Sequence, residues 1–87
     1  MTAMETIKRQ VKLCLESITD GKIKADFLGD EDYLFGEEVG LTSLAFVQLI
    51  LLLEEEFQIE IPVGNIDMEL FQSVSSIARY IYDYESG

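Results

Sequence analysis

The chain has 87 residues, of which 48% are hydrophobic, and a formal net charge of -11 at pH 7, a combination that predicts one globular domain over residues 1–87 and argues against disorder. Residues 1–24 carry five of the six cationic side chains, whereas residues 25–87 carry fourteen acids and only Arg79. This acidic body argues against binding to nucleic acid or anionic membranes and predicts basic proteins as partners.

The first predicted element is a helix over residues 3–18. Thr2 and Glu5 form a T-x-x-E capping box, and the following apolar residues recur at helical spacing: Ile7, Val11, Cys14, Leu15 and Ile18. The charged residues between them are expected on a solvated face: Lys8, Arg9, Lys12 and Glu16. Cys14, the single cysteine, is expected to be a small buried hydrophobe. It cannot form an internal disulfide, and no secretory leader opens the chain, so we expect a cytoplasmic protein.

A long connection follows over residues 19–42. Connections of this length in small domains are usually functional or packed down by their own side chains. We expect a packed one, because it carries a series of apolar residues: Phe27, Leu28, Tyr33, Leu34, Phe35 and Val39. Residues 20–31 have the length and end residues of a calcium-binding EF-hand loop. Lys22 and Lys24 occupy two ligand positions, however, and Ala25 replaces the turn glycine, so calcium binding is excluded.

Two further helices are predicted in the second half of the chain. One runs from Ser43 to about Phe57 with Thr42 as its N-cap, and residues 59–62 end it. A short helical turn is expected around residues 67–70. Ser73 then caps a last helix whose inward residues are Val74, Ile77, Ala78 and Ile81, with Tyr80 and Tyr84 stacked on its flank. The pattern predicts an all-α fold, a four-helix bundle of three longer helices and one short helix.

The second helix is apolar nearly all the way round, since Gln48 is the only polar residue between Leu44 and Leu53. One stripe is the expected core face: Phe46, Leu49, Ile50, Leu53 and Phe57. The opposite side holds Leu44, Gln48, Leu51 and Glu55, with Leu52 at its border. Either the long connection covers this side or it is an exposed contact patch. The apolar run is too short to cross a bilayer, which takes about 20 residues.

The residue types argue against an enzyme. The chain has no histidine, which removes the usual general base, the usual metal ligand and every nucleophile activated by histidine. The glycines of the long connection are too widely spaced for a phosphate-binding loop. No metal site is predicted either, because the acidic run at residues 30–32 is more simply a solvated turn.

The stretch EEVGLTSLAFVQLILLLEEEFQIEIP resembles the acyl carrier protein family, which includes the peptidyl carrier proteins. In that family a Gly, one residue and then Asp-Ser-Leu open the second helix, and Leu-Glu-Glu-Glu-Phe leads to an Ile-Pro. The residues that match here are Gly40, Leu41, Ser43, Leu44, 53–57, Ile61 and Pro62. The segment LFQSVSSIARYI also resembles the last segment of the family, so the resemblance covers nearly the whole chain.

The resemblance implies that Ser43 is the attachment point of 4'-phosphopantetheine, which a phosphopantetheinyl transferase takes from coenzyme A. The thiol of that arm would hold an acyl or aminoacyl group as a thioester. Taken alone, Ser43 beside Thr42 is ordinary helix-capping chemistry. A first-turn serine would, however, place the phosphodiester near free backbone N–H groups, worth about 0.3–1 kcal/mol at an exposed site.

The resemblance also implies partners: the transferase, an acyl- or aminoacyl-loading enzyme and downstream synthase enzymes. The expected docking surface comprises Thr42, Leu44, Gln48, Leu51, Leu52, Glu54 and Glu55, on a monomeric carrier. Hydrophobic contact there would supply affinity, and the acids would steer basic partners.

Two departures from the family pattern affect the predicted function. Thr42 stands where the family has Asp, which keeps the N-cap but loses a carboxylate. Ala45 and Gln48 stand where bacterial fatty-acid carriers usually have acids, so partner recognition is expected to be more apolar. These departures predict a specialised, freestanding carrier of a secondary-metabolite pathway. The alternatives are an unmodified protein-interaction adaptor and a housekeeping fatty-acid carrier; fatty acyl, polyketide and aminoacyl cargo all remain open.

Overall fold

The computed structural model describes residues 3–62 and 67–86. These residues form three α-helices and two 3₁₀ turns: α1 Ala3–Ile18, 3₁₀ turn Ala25–Phe27, α2 Ser43–Phe57, 3₁₀ turn Met68–Phe71 and α3 Val74–Ser86. No strand occurs in the described ranges, so the all-α prediction is confirmed, and the expected fourth helix is the second 3₁₀ turn. No helix within those ranges combines the length and apolarity that a membrane span requires.

Helix α1 has the predicted bounds, and its apolar stripe faces the core. Ile7, Val11, Cys14 and Leu15 are buried, and Ile18 packs against them while partly exposed. Thr2, the first residue of the predicted capping box, lies outside the described residues. The stripe makes α1 the helix against which both α2 and α3 pack.

The expectation of a solvated charged face on α1 is wrong in part, because this face binds the long connection. Lys8 Nζ and Lys12 Nζ lie 3.3 and 2.7 Å from the carboxylate oxygens of Asp30. Arg9 pairs with Asp26 at 2.9 Å, but that pair is exposed. These interactions join residues up to 22 positions apart, a separation that helical periodicity cannot predict.

The long connection packs down, as expected, but with two exceptions. Its buried residues are Ala25, Leu28, Leu34 and Leu41. Phe27 and Tyr33, which were expected in this packed set, are instead 87% and 58% exposed. The reason for Phe27 is local: the first 3₁₀ turn buries Ala25, two residues before it, and the chain buries Leu28 immediately after it, so the Phe27 side chain points outward.

Backbone hydrogen bonds attach the connection to the start of α3. Leu34 N–H donates to the Gln72 carbonyl at 2.8 Å, and Ser75 N–H donates to the Asp30 carbonyl at 2.9 Å. Leu41 N–H then donates back to the Leu34 carbonyl at 2.9 Å, just ahead of α2. Since buried backbone groups must be paired, these bonds allow an irregular segment to lie against the core.

Helix α3 begins with a reciprocal cap. Ser73 Oγ accepts the N–H of Ser76 at 3.1 Å, and Ser76 Oγ accepts the N–H of Ser73 at 3.0 Å. The predicted inward residues are all fully buried: Val74, Ile77, Ala78 and Ile81. The expected stack of Tyr80 on Tyr84 is replaced by other contacts. Tyr80 packs on the ring of Phe71, and Tyr84 Oη accepts the N–H of Glu60 at 3.3 Å.

Candidate functional site

The predicted site begins at the junction between the long connection and α2. Leu41 is buried, and the chain then emerges so that Thr42 and Ser43 are both exposed. Gly40 has φ +71°, a left-handed conformation that favours glycine, and its N–H donates to the Gly36 carbonyl at 2.7 Å. A Cβ on Gly40 would meet only the Glu37 carbonyl, at 3.8 Å, so the turn requires the conformation of glycine rather than its small size.

Ser43 is the first residue of α2, and Thr42 is its N-cap, as predicted. Thr42 Oγ1 accepts the N–H of Ala45 at 3.1 Å, and the Thr42 carbonyl accepts the N–H of Phe46 at 2.8 Å. Helix geometry leaves the N–H groups of Ser43 and Leu44 without an intrahelical carbonyl. The Ser43 hydroxyl therefore lies in the solvated first turn, near two free donors and the positive end of the helix dipole.

The outward side of α2 is exposed. Leu44 is 70% exposed and Leu51, two turns further on, is 60% exposed, so the long connection does not cover this side. Val47, which the sequence analysis did not single out, is 44% exposed and lies next to them on the helix surface. The exposure of Val47 could have been predicted from the sequence, because a residue three positions after Leu44 lies on the same face of a helix.

The remaining predicted docking residues divide into two groups. Gln48 and Glu55 are exposed on the same side of α2 as the leucines. Leu52 is half-buried and packs against the core. Glu54 is also half-buried, and its carboxylate accepts the N–H of Ile61 at 2.8 Å, which holds the chain after α2 in place. Glu54 therefore has a structural role that the sequence analysis did not predict.

A surface groove of about 300 Å³ lies beside the start of α2. It runs between the end of α1, the long connection and the first two turns of α2, and Thr42, Leu44 and Gln48 form its α2 side. Its opposite side mixes apolar and charged residues, among them Ile18, Asp20 and Lys22. The groove gives a flexible group attached near Thr42 a place against the protein surface.

Cys14 is unsuited to chemistry in this protein. It is buried on α1, and burial, followed by the negative charge of Glu56, raises the pKa of its thiol to about 11. A thiol with such a pKa is protonated at neutral pH and is a poor nucleophile. Within residues 3–62 and 67–86, no three acidic, cysteine or histidine side chains are grouped as a metal ion would require.

Comparison with known proteins identifies a matching family model and several relatives. A family model described as "Phosphopantetheine attachment site" matches residues 10–81. An acyl carrier protein of Wolinella succinogenes is 41% identical over 51 residues, which cover 59% of this chain and 64% of that protein. Aminoacyl carrier protein 1 of Bradyrhizobium diazoefficiens is 46% identical over 44 residues, which cover 51% of this chain and 49% of that protein.

The fold has a counterpart among solved structures. The solution structure of a holo acyl carrier protein from Nitrosomonas europaea superposes with a TM-score of 0.79 at 24% identity, covering 92% of this chain and 96% of that one. At this identity the likeness establishes the fold. The chain spans about half to two thirds of the length of the curated relatives it matches. Because the family model covers most of the chain, including the whole of α2, the chain belongs to the family of proteins that carry a phosphopantetheine attachment site.

Proposed function

We propose that this protein is a carrier that holds an acyl or aminoacyl group as a thioester on a 4'-phosphopantetheine arm attached to Ser43. The observation that supports the proposal is the exposed hydroxyl of Ser43 at the first residue of α2, within the segment that the family model matches. The arm supplies the thiol for thioester chemistry. The protein holds the arm and presents it, and it catalyses no reaction itself.

The residues around Ser43 fit such a group. No hydrogen bond from the described residues occupies Ser43 Oγ, and solvent reaches it, so a transferase has access to the hydroxyl. In the transfer, Ser43 Oγ forms a bond to the phosphorus of the pantetheine phosphate of coenzyme A. The pyrophosphate bond breaks, the adenosine bisphosphate leaves, and the serine proton passes to a base of the transferase. The free N–H groups of the first turn then face the phosphodiester anion.

The presence of Thr42 in place of Asp supports the proposal that a dedicated transferase modifies this protein. The side chain caps α2 through its hydroxyl, so the helix start that positions Ser43 is intact. A threonine lacks the carboxylate that Asp would offer to a cationic group on the enzyme. The transferase for this protein would therefore recognise the start of α2 by other contacts, and the exposed Leu44 beside Ser43 is the nearest apolar one.

The docking surface that we propose is the outward side of α2. Leu44, Val47 and Leu51 supply its apolar contacts, and Glu55 supplies a negative charge that attracts basic partners. Thr42, Gln48 and Leu52 border it. Glu54 contributes its charge, but its hydrogen bond to Ile61 makes it a poor position for testing docking alone.

The apolar character of this surface supports a specialised carrier of a secondary-metabolite pathway. We propose that the carrier works as a cytoplasmic monomer. The transferase, a loading enzyme and downstream synthase enzymes would be its partners. The names of the relatives include both acyl and aminoacyl carriers, so both cargo classes are consistent with the family. Efficient use of the protein by ordinary fatty-acid synthase enzymes would contradict the specialised role and favour the housekeeping one.

The second candidate function is an unmodified carrier-like adaptor, and Thr42 in place of Asp is the observation that favours it. Intact mass after incubation with coenzyme A and a broad-specificity phosphopantetheinyl transferase separates the two. We expect a gain of one phosphopantetheine that Ser43→Ala abolishes and that Ser17→Ala, at an exposed serine on α1, retains. If Thr42→Asp gains the group and the parent does not, the carrier needs a dedicated transferase. No gain in either would favour the unmodified adaptor and leave a carrier with its own transferase as the alternative.

A further inference from the structure

Aromatic side chains form a continuous series of ring contacts that runs from the surface of the long connection into the core near the start of α2. Four consecutive ring pairs have centroid separations of 6.1, 5.6, 5.8 and 5.2 Å and tilted or edge-to-face geometry. We call these side chains the aromatic row: Tyr33, Phe35, Phe46, Phe71 and Tyr80. The separations lie in the range that aromatic pairs prefer, so the row is a set of mutually stabilising contacts.

Phe46 brings the aromatic row close to the proposed attachment point along α2. It follows Ser43 by three residues, which is about one turn along α2, and it is only 6% exposed. Its ring contacts Phe35 of the long connection on one side and Phe71 of the second 3₁₀ turn on the other. A group that entered the bundle between α2 and the second 3₁₀ turn would therefore have to displace the Phe46 ring from Phe71.

The aromatic row also occupies the space between α2 and α3. Its members come from the long connection, α2, the second 3₁₀ turn and α3, in that order, and Phe71, which joins Phe46 to Tyr80, is fully buried. The neighbouring core residues Leu49, Val74 and Ile77 are fully buried as well. Protein interiors are close-packed, so added methylene groups would force these rings out of their favoured arrangement.

We propose that Phe46 and the aromatic row exclude the cargo from the bundle interior, so that the thioester-bound group remains at the protein surface. This inference rests on the proposed function and specifies its substrate class: short or polar acyl and aminoacyl groups rather than long alkyl chains. A long alkyl chain is stabilised by burial and would remain in water here. The groove beside Thr42 mixes charged and apolar residues, which suits a small polar group better than a long alkyl one.

The test compares cargo of increasing length on Ser43. The transferase loads the protein from acetyl-, octanoyl- or palmitoyl-coenzyme A, intact mass confirms each product, and the melting temperature is measured by circular dichroism. We expect the melting temperature of the parent protein to be the same for all three. In Phe46→Ala, which opens space below Ser43, we expect it to rise with chain length, by about 4 °C or more once the chain is buried.

Two variants control this experiment. Leu53→Ala opens space at a fully buried residue about 10 Å beyond Phe46 along α2, and the melting temperature of this variant should not depend on chain length. Phe46→Leu replaces Phe46→Ala if the smaller side chain prevents folding. A melting temperature that rises with chain length in the parent protein would overturn the inference. The inference would also be overturned if each Phe46 variant had the same melting temperature with all three cargoes. Failure to load is detected by mass and contradicts the attachment at Ser43 instead.

Discussion

The exposed leucines of α2 permit a quantitative prediction about docking. Burying a whole leucine side chain stabilises a complex by about 1.5–3 kcal/mol. Leu44 and Leu51 are 70% and 60% exposed, so a partner covering either one gains about 1 kcal/mol from the part that alanine removes. Leu44→Ala and Leu51→Ala should each weaken partner binding about fivefold. The two positions are about 10 Å apart, so their effects should add to about thirtyfold in the double variant.

The assay is the Michaelis constant of the phosphopantetheinyl transferase for each variant, with its turnover number measured alongside. Leu13→Ala is the matched control, because Leu13 is 45% exposed but lies on α1. Urea denaturation should show that all of these variants keep the stability of the parent protein within about 0.5 kcal/mol, since the side chains removed are exposed. Equal Michaelis constants for the α2 variants and the Leu13→Ala control would refute the docking surface for the transferase.

Three further predictions concern charge near the site and in the long connection. Thr42→Asp should be loaded faster by a broad-specificity transferase, and equal rates would contradict this role of the carboxylate. Glu55→Lys should slow association with a basic partner at low salt more than Glu85→Lys, an equal charge change at the end of α3. The hydrogen bond from Lys12, aided by Lys8, lowers the pKa of Asp30. The ionised Asp30 therefore stabilises the fold at pH values above the ordinary carboxyl pKa, and this stabilisation is lost as the pH falls through the lowered pKa. The melting-temperature difference between the parent and Asp30→Asn should therefore shrink on acidification; a constant difference would contradict it.

Local patterns were sufficient to predict the bounds of α1 and the N-terminal caps of α2 and α3. Helical spacing of apolar residues predicts the bounds of α1, and the hydroxyl residues Thr42 and Ser73 cap the helices that follow them, as expected. Both signals involve residues within one or two helical turns of each other, where backbone geometry alone determines which side chains meet. The position of Ser43 at the start of α2 was predicted for the same reason.

Most of the features that were missed depend on the path that the chain takes outside the helices. Whether the long connection covers Leu44 and Leu51 depends on its path, which hydrogen bonds and ion pairs to α1 and α3 determine. Glu54 reaches the N–H of Ile61 only after the chain turns back beyond α2. The outward position of Phe27 follows from burial of its neighbours, whereas composition favoured a packed aromatic ring.

The long connection has a consequence for how the protein opens. Leu34 N–H donates to the Gln72 carbonyl, and Leu41 N–H donates to the Leu34 carbonyl. The Asp30 carbonyl accepts the N–H of Ser75 in α3. Breaking these bonds would detach Leu34, a fully buried side chain, from the core. Hydrogen exchange at Leu34 and Leu41 should therefore be as slow as in the middle of the helices. We therefore expect this segment, which has no α-helix or strand, to unfold in the same cooperative unit as α1 and α3.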